Sequence, residues 1–238
     1  MNVHPLHPRR LEEQPPSRVT PAEPTWTNVP WMPTASGGCY HFLEPDPKAL
    51  HWADIIEPMA RLPRFGGHTQ GAPLMMAQHS CMVAEMVPAE ARGWALLSSA
   101  HTVFLGVSAD PVADALTAAT IRQARRRNLS PLSCVNAQRE GALDLVVAAH
   151  VAICAFARID SPTRQITDIV TMADRYVTAR QVHWLLPDGP GKAAWRAADP
   201  ELFALPKGKA IRPWNWEAAA TMYTDALERA LPDFDRGR

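Results

Sequence analysis

Residues 95–106 read Ala-Leu-Leu-Ser-Ser-Ala-His-Thr-Val-Phe-Leu-Gly. Trp94, Leu97, His101 and Leu105 recur at steps of three and four, the spacing that brings side chains to one face of an α-helix. Pro88 stands where a first helical turn tolerates proline, and Gly106 stands where a helix stops. The stretch predicts a helix from Pro88 to Gly106, with Ser98-Ser99 as a polar pair inside an apolar run.

The same period recurs outward in both directions. Asp46-Pro47 opens a predicted helix with Leu50, Ile55, Ile56 and Met59 on one side and Pro58 as a bend. Pro73 to Val87 carries Met75, Met76, His79, Met82, Val83 and Met86 as a stripe. Asp110-Pro111 reads as an N-cap followed by proline, on a helix ending in Arg125-Arg126-Arg127, a solvated end favoured by the helix dipole. Arg139 to Arg158 is apolar nearly all round, which predicts a central helix containing His150 as a core residue. Ser161-Pro162 begins another, with Ile166, Ile169, Val170, Ala173 and Val177 inward. Pro187 to Arg212 is broken by proline and glycine, and Asn215 to Leu231 closes the chain as a helix. No β-rich region or internal repeat interrupts the series, although Ser36 to Pro47 suits a turn or small hairpin. The fold class is therefore all-α, a helical domain over 36–235 preceded by a flexible proline-rich tail over 1–35. Trp26 and Trp31 are the residues of that tail suited to docking.

The chain has 238 residues, 47% of them hydrophobic, with 24 basic and 24 acidic side chains. That is enough for a real core, and the zero balance gives no global pull toward nucleic acid or an acidic membrane. Cys39, Cys81, Cys134 and Cys154 form no C-x-x-C pair and read as buried free thiols of a reducing compartment. The opening MNVHPLHPRRLEEQPP has no apolar h-region, and the most apolar run, Ala142–Ala157, is short for a bilayer and holds Asp144 and His150. The expectation is a soluble, cytoplasmic protein. Gly189-Pro190-Gly191-Lys192 is a fragment of a phosphate loop without its remaining residues.

Three segments carry the chemistry: Arg61-Leu-Pro-Arg64-Phe65-Gly66-Gly67-His68-Thr69, Ala77-Gln78-His79-Ser80, and the stretch from Ala95 to Gly106. In this order and spacing they resemble the bacterial 5'-deoxynucleotidase-like branch of the HD superfamily of phosphohydrolases. There the segments read R-F-x-G-H-T, V-A-x-H-S and L-L-H-D-A-x-E-x-x-x-G-D. A later A-D pair matches Ala173-Asp174, and Pro213-Trp214 before the last helix fits as well. The resemblance implies an HD-domain helical bundle. It also implies a divalent metal (Mn, Co, Mg, Fe or Zn) held by a histidine, a His-Asp pair and a distant aspartate. The cation polarises a phosphate oxygen and activates water.

By the resemblance, His79 and Asp174 match the first and last ligands, Arg64 the phosphate-holding arginine, and Phe65 an aromatic near the base. His68 joins Arg64 and Phe65 in the implied nucleotide pocket. The His-Asp pair is replaced by Ser98 and Ser99, the glutamate by Thr102, and the final aspartate by Val107. Losing two ligands and the acid-base partner predicts a catalytically impaired protein that retains a pocket for a phosphorylated ligand, such as a deoxynucleotide, and needs no metal. A second reading rebuilds a metal site from His68, His79, His101 and Asp174 and keeps the hydrolase active. A third makes the protein structural, with its surface as the working part. If no metal is bound, Asp174 requires Arg64 or a histidine beside it. The family implies a homodimer, for which Trp184, Trp195 and Trp214 are available.

Overall fold

The computed structural model describes residues 30–106, 110–205, 208–235 and 237. The expected tail, with Trp26, falls outside these residues up to position 29, as does Val107. The described chain is all-α apart from one hairpin. Strands β1 (Trp31–Pro33) and β2 (Cys39–His41) pair antiparallel, Met32 opposite Tyr40. Trp31 and Pro33 thus belong to the hairpin, upstream of the boundary expected at 35.

The helices are α1 (Trp52–Arg61), α2 (Met76–Ala84), α3 (Arg92–Leu97), α4 (Thr102–Leu105), α5 (Asp110–Arg126), α6 (Pro131–Ala157), α7 (Arg164–Leu185), α8 (Pro190–Ala198), α9 (Pro200–Ala204) and α10 (Trp216–Ala230). The segment expected to form one helix from Asp46 divides. A short turn covers Pro47–Ala49, and α1 starts after His51. Asp54 explains the restart. Buried at 1% exposure, its carboxylate accepts hydrogen bonds from the His51 N–H at 3.0 Å, the Ser36 N–H at 2.7 Å and the Ser36 hydroxyl at 3.0 Å. One side chain therefore caps α1 and ties the hairpin to it.

α2 is the centre of the bundle, packing on α1, α3, α7 and α10. It is shorter than the expected 73–87, but Met76 to Cys81, Val83 and Ala84 are all buried. Around it lie Ile55, Met59, Leu96, Leu97, Phe156, Tyr223 and Leu227, each at 1% exposure or less. Each such side chain contributes about 1.5–3 kcal/mol of hydrophobic free energy. The buried Tyr223 hydroxyl donates to the Leu96 carbonyl at 2.8 Å, so that phenol enters the core with its polar atom satisfied.

Two expectations are corrected here. The helix expected from Arg139 starts at Pro131, where Ser130 accepts from the Ser133 N–H and proline occupies the first turn. It is also not central. Ala149, Ala152, Ile153 and Phe156 pack in the core, while Leu143, Val147 and Val151 face outward. Of its most apolar stretch, 33% is buried. By length and composition this helix is also long and apolar enough to cross a membrane, unlike the shorter run read from the sequence. Cys81 and Cys154 are buried, but Cys39 is exposed and Cys134 only half-buried.

The helix expected from Pro88 to Gly106 breaks at the serines. α3 ends at Leu97 and α4 begins at Thr102. Between them the backbone tightens into three-residue bonds, Ala100 N–H to Leu97 O at 2.9 Å and Thr102 N–H to Ser99 O at 3.1 Å. The Ser98 hydroxyl donates to Ala95 O at 3.2 Å and the Thr102 hydroxyl to Ser99 O at 2.6 Å. Short hydroxyl side chains compete in this way for carbonyls that a regular helix would use. Gly106, at φ 79°, lets the chain leave α4 in a conformation that costs other residues strain.

Candidate functional site

The loop before α2 is held at its base by backbone bonds from Arg64 N–H to Leu74 O and from Met76 N–H to Leu62 O, both 2.8 Å. Gln70 N–H reaches Leu185 O at 2.7 Å and pins the far side to the end of α7. Within this frame Phe65 adopts φ 54°, ψ 26°, a left-handed conformation that bulky residues rarely take, followed by Gly66 at φ 60° and Gly67 at φ 81°. The strain turns the Phe65 ring to meet Trp195 of α8 edge-on, with centroids 6.3 Å apart. The Arg64 guanidinium lies 5.2 Å from the same ring, and its Nη2 donates to Thr178 Oγ1 at 2.9 Å. Non-glycine residues in such conformations persist where surrounding contacts impose them, and they cluster at ligand sites.

Two clefts meet here, and Arg64 and Asp174 line both. The first, about 670 Å³, is walled by Phe65, His68, Thr178, Trp195, Leu202 and Phe203. Arg175 and Asp199 also line it, paired with each other through Arg175 Nη2 and Asp199 Oδ2. The second, about 590 Å³, is lined by Ser98, Ser99, His101, Thr102 and His150, with Trp94 and Leu145 among the apolar residues. Both volumes suit a ligand of nucleotide size.

Asp174 does have a histidine beside it. His79 Nε2 lies 2.7 Å from Asp174 Oδ1, and the Gln181 amide donates to His79 Nδ1 at 3.0 Å. A ring nitrogen that accepts has no proton, so the imidazole proton sits on Nε2 and is donated to the carboxylate. Burial is the main cause that lowers the His79 pKa, and the Arg64 charge lowers it further, against the raising effect of Asp174. Burial alone would raise the Asp174 carboxyl. The hydrogen bond from His79, with the charge of Arg64, outweighs it and holds the acid below its ordinary value. At neutral pH the pair is a neutral imidazole donating to a carboxylate. His79 is fully buried, whereas the Asp174 side chain is 42% exposed toward the clefts. His79 therefore positions, and Asp174 presents its charge.

His101 is drawn elsewhere. Its Nδ1 lies 2.9 Å from His150 Nε2, and both nitrogens lie within 3.0 Å of the Ser98 carbonyl oxygen. The helix break explains this arrangement, because the bond that Thr102 N–H would make to Ser98 O in a regular helix goes to Ser99 O instead. Burial, and then His150, lower the His101 pKa to about 4; burial likewise lowers that of His150. His150, expected as a plain core residue, is a half-buried lining residue of the second cleft.

The donor set does not fit the metal that the resemblance implies. His79 turns its lone pair to Gln181 and its proton to Asp174. Ser98 and Thr102 spend their hydroxyl protons on backbone carbonyls. Among the described residues no three His, Cys, Asp or Glu side chains are grouped so as to hold a metal ion. Of the set His68, His79, His101 and Asp174, only His79 and Asp174 meet. His68 lines the first cleft, and His101 pairs with His150 in the second.

Several residues of the site escaped the sequence reading. Thr178, Gln181 and Trp195 stand one or more turns from any motif, and Arg175, next to Asp174, is not itself a motif residue. Where the sequence predicts a stretch broken by proline and glycine, α8 and α9 form, each with proline in its first turn, and Asp199 caps α9 by accepting from Leu202 N–H at 3.2 Å. Lys192 of the supposed phosphate-loop fragment bonds the Leu186 carbonyl at 3.1 Å and Asp188 at 3.0 Å, so its ammonium is committed to the local fold. Trp195 walls the first cleft. No family model and no curated protein matches this chain.

Proposed function

We propose that this chain is an HD-superfamily, 5'-deoxynucleotidase-like protein that binds a phosphorylated small molecule of nucleotide size and does not hydrolyse it by the family's metal chemistry. It acts as a binding, sensing or regulatory protein. The reading rests on one observation: residues from three distant motifs converge, Arg64 and Asp174 lining both clefts and the buried His79 holding Asp174 from behind. Arg64 supplies a planar donor held by Thr178. A guanidinium fixed in this way suits a phosphate better than a mobile ammonium does. Phe65 and Trp195 offer aromatic surface within the same cleft for a base. The sequence contrast supports impairment, since Ser98, Ser99 and Thr102 line the second cleft where the family places its His-Asp pair and glutamate.

The test is thermal stabilisation and phosphate release with a panel of deoxynucleoside mono- and triphosphates, with Mn, Co, Mg or no metal. The expected result is stabilisation by at least one nucleotide without turnover. Arg64→Ala should weaken that binding about tenfold or more, because one charge-assisted bidentate contact contributes on the order of 1.5–3 kcal/mol. Chelator-sensitive turnover would establish the rebuilt hydrolase. Neither binding nor turnover would leave the structural reading.

A further inference from the structure

The two clefts succeed one another along one face of α7. Thr167, Thr171, Asp174 and Thr178 recur at steps of four, three and four, so they share a side of the helix. Thr167 and Thr171 line the second cleft, Thr178 the first, and Asp174 both. That face is about 16 Å long. Arg64 also lines both clefts, and its bond to Thr178 holds it on the same face. Phe65 and Trp195 wall one end, and Trp94, His101 and His150 the other. Trp94 meets His150 edge-on, with centroids 4.9 Å apart. The second cleft thus has aromatic walls of its own, and its 590 Å³ admits a base and sugar without drawing on the first.

The histidine pair gives the second cleft the polarity of a base-binding site. His101 Nδ1 and His150 Nε2 lie 2.9 Å apart and both approach the Ser98 carbonyl oxygen. Two N–H groups at that distance would set proton against proton, and two bare lone pairs would repel each other and the carbonyl. One of the two nitrogens therefore carries a proton. Both rings are neutral at neutral pH, so the remaining nitrogens, His101 Nε2 and His150 Nδ1, are one donor and one acceptor. Among the described residues neither has a hydrogen-bond partner. Tautomerising both rings together exchanges their roles. The edges of nucleobases present donors and acceptors side by side in the same way.

We infer that the ligand is a dinucleoside monophosphate, with one base in the first cleft beside Phe65 and Trp195, the other in the second cleft against His101 and His150, and the phosphodiester at Arg64. This rests on the proposed function and names its ligand class. Charge selects the diester. Arg64 and Arg175 are balanced by Asp174 and Asp199 around the clefts. A phosphate monoester carries close to two negative charges at neutral pH, and a triphosphate carries more. A diester carries one, which the Arg64 guanidinium neutralises. A mononucleotide would leave one cleft to water and set its second negative charge toward Asp174.

Calorimetric titration of the full chain without metal tests it, using the deoxydinucleoside monophosphates d(ApA), d(ApT) and d(TpT) beside dAMP and dTMP. The best dinucleoside monophosphate should bind at least about tenfold tighter than either mononucleotide, since a second stacked base adds a factor of roughly 5 to 100. Thr171 is exposed on the wall of the second cleft, so Thr171→Trp fills that cleft from the surface and should erase the advantage. Thr167→Trp, from the same exposed wall, serves if circular dichroism shows the first variant unfolded. Mononucleotides that bind as tightly as the dinucleoside monophosphates, and lose that binding in Arg64→Ala, would overturn this inference and leave the proposed function standing. No binding of either class would overturn both. An advantage that survives the tryptophan variants would place the second base outside the second cleft and overturn the assignment. So would d(ApApApA) bound tenfold tighter than d(ApA), which would assign the clefts to a nucleic-acid strand.

Discussion

Asp174 decides between the two chemical readings of the cleft more sharply than Arg64 does. If a metal ion is to be held here, its carboxylate is indispensable. If an anion binds without a metal, the same carboxylate opposes it, because a negative charge shares both clefts with the guanidinium that receives the phosphate. Asp174→Asn keeps an oxygen to accept the His79 proton, now donated across 2.7 Å, and removes only the charge. One unit charge a few ångströms from the ligand in solvent contributes roughly 1 kcal/mol. Asp174→Asn should therefore tighten nucleotide binding about three- to tenfold, measured by calorimetric titration. Weaker binding in the variant would contradict the metal-free reading and restore a cation to the site.

At the scale of elements, α2 shows what the sequence made legible. Met76, His79 and Val83 gave its stripe, and the neighbouring motif residue Gln78 turns out to fasten another element. Its amide donates to the Arg212 carbonyl at 2.9 Å, and its oxygen accepts from the Trp214 N–H at 2.8 Å. This fixes the approach to α10. Gln78→Ala removes both bonds from a residue that is 4% exposed and should cost about 2–3 kcal/mol in urea unfolding. A loss under 0.5 kcal/mol would mean that the 212–214 segment is held by other contacts. Period and caps also located α7 and α10 closely. They failed where a local interaction overrode the period. Trp94, Leu97, His101 and Leu105 do share helical spacing, but serine and threonine hydroxyls take the carbonyls between α3 and α4, and His101 turns to His150, 49 residues away. The face of α6 that is left open was equally hidden, since an apolar helix with one bare side has the composition of a buried one. The site was legible in Arg64, Phe65, His79 and Asp174 because a motif holds them. Thr178, Gln181 and Trp195 were not, because contact across helices leaves no spacing in the chain.

At the scale of the whole molecule, three histidines from distant elements, His79, His101 and His150, are stored uncharged. Burial is the first cause that lowers the pKa values of His79, His101 and His150, which lie on α2, at the start of α4 and on α6 around one pair of clefts. The unfolded chain takes up protons at these rings near pH 6.5, whereas folded His101 does so only near 4. Between those values the unfolded state binds more protons than the folded one, so stability falls as pH falls. The full His101 displacement corresponds to about 3 kcal/mol, and its partial exposure to the cleft reduces that to roughly 2. His79 and His150 act in the same direction. Asp174, held below its ordinary value, adds its own loss only once the pH enters the carboxylate range. Urea midpoints measured at pH 7.5, 6.0 and 5.0 should therefore decline together, most steeply below 6.5. His101→Asn should flatten the decline while retaining a side chain able to bond the Ser98 carbonyl. A level profile in the wild type would mean that the clefts admit water and a proton to these rings at no cost. It would also remove the dry, low-dielectric surroundings that make Arg64 effective as an anion receptor.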